Sequence, residues 1–174
     1  MTTAFGKDPL STRGRWVVIA VATAVMQLSY WPVVAVTAWE GRRDEVVAAG
    51  VFVGLAAVPF VFMLVAFVSR HPRAPWAVLR AMALFALVGA GVGWLHVAAG
   101  MAAGYAAGGV AALRWPEGTR PRAARIGMVA AITVAVTLVV AVEPAGGAAL
   151  AALLPFPSLG LADEVAVRSA QQRR

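Results

Sequence analysis

Charged and apolar positions fall into separate blocks along this chain of 174 residues. Five runs free of Lys, Arg, Asp and Glu, at 16–39, 46–69, 81–113, 126–142 and 144–162, alternate with short polar stretches such as "EGRRDE" and "RWPEGTRPRAAR". Runs of this length and apolarity predict membrane-spanning helices. The first, Trp16–Trp39, is too long for a signal-peptide core and lacks a small-residue cleavage site. It reads as a retained span, kinked by Pro32. A second span covers 46–68 and contains Pro59, and a third starts near Trp76, where Pro75 suits the first turn of a helix.

The run 81–113 poses the main question of topology. As one helix it would be roughly 50 Å long at 1.5 Å per residue, against a hydrocarbon core of about 30 Å. Counted from Trp76, it accommodates two short helices, 76–95 and 98–113, joined by a tight turn. Charge favours this hairpin. With both termini inside, the interior segments 1–15, 69–80, 114–125 and 163–174 hold 3, 3, 4 and 3 Lys and Arg, thirteen of the fifteen. A single span would leave six inside and nine outside, against the positive-inside rule. Tryptophan agrees, because Trp16, Trp39, Trp76 and Trp115 mark predicted boundaries. Trp94 falls where an outer turn near His96–Gly100 needs an interfacial residue.

A fifth span, 126–142, ends at Glu143 and Pro144. The sixth, 145–162, is interrupted by Pro155 and Pro157, so it reads as a broken helix that spans, re-enters or lies in the interface. The expectation is an all-α, polytopic membrane bundle of about six transmembrane helices, a single membrane domain over 1–174. Its third and fourth helices form a Gly/Ala-rich hairpin, and both termini are cytoplasmic.

Composition sharpens this picture. The chain is 61% hydrophobic and 13% charged, with a mean hydropathy of +0.79. A soluble domain of this size could not bury so much apolar surface. The net charge of +7 does not indicate nucleic acid, because the basic residues lie in short loops between apolar runs. Ala, Val, Gly and Arg dominate and Lys7 is the only lysine, as in a high-GC bacterial genome; the expected location is a bacterial plasma membrane. With no cysteine, disulfides and thiolate chemistry are excluded.

Four features carry candidate function. Gly100, Gly104 and Gly108, four residues apart among alanines, make a smooth helix-packing face, used for a partner or within the bundle. Thr23, Gln27 and Tyr30 share a face of the first span and, with Tyr105, are the candidate lining of a polar pocket; interhelical hydrogen bonding is the plainer role. Arg70, Arg73, Arg80, Arg114, Arg120, Arg122 and Arg125 form a basic collar suited to anionic lipid or a partner. His96 suits a hydrogen-bonded turn.

Known catalytic patterns are missing from the sequence: no Gly-x-Ser-x-Gly, no His-Glu-x-x-His, no phosphate-binding glycine loop. No catalytic, cofactor or metal residue is therefore assigned, and the partners expected are the bilayer and a membrane protein or a second copy. The leading expectation is a non-enzymatic accessory or assembly subunit of a membrane complex. The alternative is a small transport component, such as the substrate-binding membrane subunit of an importer.

Overall fold

A computed structural model describes residues 10–39, 41, 43–115 and 122–171 of the chain. Among the described residues there are seven helices and no strand: α1 Thr12–Ala38, α2 Asp44–Val68, α3 Ala74–Gly93, α4 Val97–Ala112, α5 Arg122–Val142, α6 Pro144–Leu153 and α7 Pro155–Gln171. Three of them, α1, α2 and α3, are each long and apolar enough to cross a bilayer. A fourth candidate is the pair α6 and α7, bent by 46° at its break, while α4 and 126–142 are shorter apolar helices. Length and composition together are those of a helical membrane protein.

Local chemistry sets the helix ends. Ser11 caps α1, its Oγ accepting from Gly14 N at 3.2 Å. Asp44 and Glu45 occupy the first turn of α2, where carboxylates meet the positive end of the helix dipole. That helix closes with His71 N donating to Ala66 O and Arg70 N to Phe67 O, the pattern of a Schellman motif. Arg70, at φ 58°, occupies the left-handed position that glycine usually takes.

The charge-free run 81–113 is divided between α3 and α4, with the turn at Trp94–His96. Trp94 is 92% exposed at this turn. His96 caps α4, its Nδ1 accepting from Ala98 N at 3.2 Å. The two helices then pack through their smallest residues. Gly100 lies on Gly93 and Gly89, Gly104 on Phe85, and Gly108 on Ala81 and the Phe62 ring. The partners on α3 are themselves four apart, so one helical row faces another and the backbones touch.

Every residue of α4 from Ala98 to Gly109 is buried, and the helix contacts each of the other six. A helix enclosed on all sides has no polar face to show. Only a narrow one, made here almost entirely of Ala and Gly, lets six neighbours approach closely. The exceptions within 98–109 are Met101 and Tyr105, the latter fully buried with its ring packed on Phe62, Phe85 and Phe156 at centroid distances of 5.7, 5.0 and 6.1 Å.

The helix ends sort into two groups. Arg15 meets Asp163, Arg114 N donates to Ser69 Oγ at 3.3 Å, and Gly160 lies against Trp16 and Ile19. This basic end gathers Arg13, Arg15, Arg70, Arg73, Arg114 and Arg168 with Asp163 and Glu164. The opposite, acidic end holds Asp44, Glu45 and Glu143 with Arg43.

Candidate functional site

The polar groups of the first span meet the broken helix. Pro155 and Pro157 have no N–H to offer the carbonyls of Ala151 and Leu153, which interrupts the ladder between α6 and α7. Opposite this break, Gln27 Nε2 donates to Ala152 O at 2.8 Å and to Thr23 O at 3.0 Å, and Tyr30 OH donates to Ala148 O at 2.7 Å. Gln27 Oε1 in turn accepts from Trp31 Nε1 at 2.9 Å. Two side chains of α1 thus serve backbone oxygens of the one helix that proline has broken. Neither is a carbonyl that Pro155 or Pro157 leaves without its donor, so these bonds tie α1 to α6 beside the break rather than repair the ladder.

Beside this contact, Ser29 donates to Met26 O at 2.9 Å, so its oxygen accepts from Tyr105 OH. Both residues are fully buried. Thr23 hydroxyl bonds Ile19 O at 2.8 Å. The structure therefore brings Thr23, Gln27, Tyr30 and Tyr105 into one neighbourhood between α1, α4 and α6, and each of their polar groups has a partner in the protein itself. Thr133 and Thr137 similarly bond the carbonyls of Val129 and Thr133 within α5.

The glycine face of α4 is spent on α3, as described above. Within the basic collar, Arg114 Nη1 donates to Arg70 O at 3.2 Å, fastening the α2–α3 turn to the end of α4. Arg73 and Arg80 lie on α3 and its cap. Arg120 lies outside the described residues, as do the side chains of Arg122 and Arg125.

One element escaped the sequence reading. Asp163 stands one residue past the expected sixth span, yet it is 3% exposed and pairs with Arg15 Nη1 at 2.5 Å. Next to it, Glu164 accepts from Trp16 Nε1 at 3.3 Å and pairs with Arg168. A small hollow of about 10 Å³, room for about one water, lies among Arg15, Trp16, Gly160 and Asp163. The cue available in sequence was charge complementarity between the two terminal helices.

Among the described residues, no group of three or more His, Asp or Glu could hold a metal ion. Comparison with protein-family models, curated proteins and solved structures finds no match to this chain.

Proposed function

We propose that this chain is a non-enzymatic accessory or assembly subunit of a larger membrane complex. The supporting observation is that the polar side chains of α1 and α4 are consumed by the fold: Gln27 and Tyr30 serve α6, and Ser29 serves Tyr105. An importer subunit would need these same groups turned toward a solute. The inward glycine row also shifts attention to the outer surface, where α5 keeps Gly127, Ala131 and Ala135 exposed at four-residue spacing.

Purification of the tagged protein from its native membrane in mild detergent, with mass spectrometry of what accompanies it, tests the reading. A stoichiometric partner is expected, and it should be lost on joint substitution Gly127→Leu and Ala131→Leu while the protein itself is still recovered. Recovery alone, or only with itself, overturns the subunit reading.

The same proposal has six spans in a bacterial plasma membrane, α6 and α7 together forming the sixth, with the basic end and both termini in the cytoplasm. Arginine gathered at one end, with Arg43 alone among the described residues at the other, supports that orientation. Because the chain has no cysteine, single cysteines report on it directly. In intact cells an impermeant maleimide should label Leu95→Cys at the exposed α3–α4 turn, and Gly118→Cys only after permeabilisation. The opposite labelling pattern rules the orientation out.

A further inference from the structure

The start of α3 carries a basic, aromatic hollow that the proposed function does not use. Arg73 caps the helix, Trp76 follows three residues later and Arg80 four after that, so the three share one face. They line an open hollow of about 390 Å³. Trp76 is 64% exposed, although a large apolar ring exposed at a helix start is costly in water. Immediately after Arg80 begins the charge-free run 81–113, so this hollow straddles the level at which the chain turns from polar to apolar. Helical side chains lean toward the N-terminus, which carries Arg80 back from the apolar side toward Trp76 and Arg73.

The local field is positive. Among the described residues, neither the Arg73 nor the Arg80 guanidinium has a carboxylate partner. Nearby, burial pushes the His71 imidazole below its usual range, and the charges of Arg114 and Arg80 push it in the same direction. Two guanidiniums without carboxylates, set around an exposed indole at an apolar boundary, match one ligand chemistry. A phosphate diester supplies the anion, and the glycerol esters and acyl chains attached to it supply the apolar surface.

We infer that Arg73, Trp76 and Arg80 form a binding site for one anionic phospholipid, its headgroup phosphate held between the two guanidiniums and its glycerol region lying on the Trp76 ring. Arg is suited to this role because its planar fork gives paired N–H donors to phosphate oxygens. Lipid and free phosphate share the anion, so the apolar contact is what separates them.

The test is native mass spectrometry of the full chain released from mild detergent with equimolar phosphatidylglycerol and phosphatidylcholine. The wild-type protein should retain phosphatidylglycerol preferentially. Each of Arg73→Gln and Arg80→Gln should lower that preference about fivefold, from the roughly 1 kcal/mol that each basic residue near an anionic surface contributes. Arg43→Gln, at the acidic end, should leave it unchanged, and Trp76→Ala should weaken retention of the lipid without removing either charge. Matching melting curves, read from intrinsic tryptophan fluorescence, establish that the glutamine variants are folded. Equal lowering by Arg43→Gln, or no lowering by either α3 variant, overturns the site. Displacement of the lipid by millimolar inorganic phosphate assigns the pocket to a small anion and overturns it as well.

Discussion

Gly100→Ala, the addition of one methyl group, is expected to destabilise the protein by about 1–3 kcal/mol, the usual cost of overpacking. A Cβ at Gly100 would lie 2.5 Å from Gly93 N and 2.6 Å from Gly89 O. Both are backbone atoms of α3, so no side chain can rotate away and the helices must separate. At Gly104 the nearest backbone atom would be Phe85 O at 2.9 Å, with the Phe85 ring equally near, and the loss there should be smaller. Gly91, on the outside of the same hairpin, has nothing within 4 Å of an added Cβ. Gly91→Ala should therefore be neutral or stabilising by about 0.5–1 kcal/mol, since alanine is the better helix former. Unfolding in detergent, followed by tryptophan fluorescence, gives the order directly. If Gly100→Ala melts with the wild type, backbone contact does not set the distance between α3 and α4. The hub position of α4 makes the effect large: a helix pushed away from α3 is pushed into α5, α6 and α7 on its other sides.

That position was the least legible part of the fold. The break inside 81–113 could be read from length alone, because a charge-free run of 33 residues exceeds one membrane thickness. The glycine row was equally visible as a packing surface. What one-dimensional pattern cannot report is the number of neighbours. A helix with Ala and Gly on every face has no periodic signal, and the same composition suits a two-helix seam or a central position. The contact between α1 and α6 was hidden for a different reason. Gln27 and Tyr30 are visible as polar residues in an apolar run, and Pro155 and Pro157 as breakers in another. Only the tertiary structure joins them, across 125 residues for Gln27 and 118 for Tyr30. Once joined, they change the meaning of both features. Polar groups that suggested a pocket are hydrogen-bond donors to Ala148 O and Ala152 O, tying α1 to the broken helix just before its break.

Asp163→Ala is expected to cost more than any other substitution at the basic end, about 3–5 kcal/mol, because it would leave the Arg15 guanidinium in a largely buried place without its carboxylate. The pair is short at 2.5 Å, and its side chains are 16% and 5% exposed. Arg15 is also held by its own chain, Nε donating to Leu10 O at 3.2 Å, so it is poorly placed to swing out to water when the partner is removed. Removing both charges should behave differently. Arg15→Met combined with Asp163→Leu replaces a desolvated ion pair by apolar side chains of similar length, and exchanges of that kind are often neutral or stabilising. The double variant should therefore melt close to the wild type even though each single variant melts well below it. The neighbouring pair Arg168–Glu164 gives the internal contrast. Arg168 is 72% exposed and lies one turn from its partner on the same helix, so Arg168→Gln should cost only about 0.3–0.5 kcal/mol. A double-mutant cycle over Arg15 and Asp163 separates the coupling from the individual losses. Strictly additive losses would mean that the two ions do not hold α1 to α7. A large coupling energy would make this contact the clasp between the first and last helices, alongside the Gln27 and Tyr30 hydrogen bonds that tie α1 to α6.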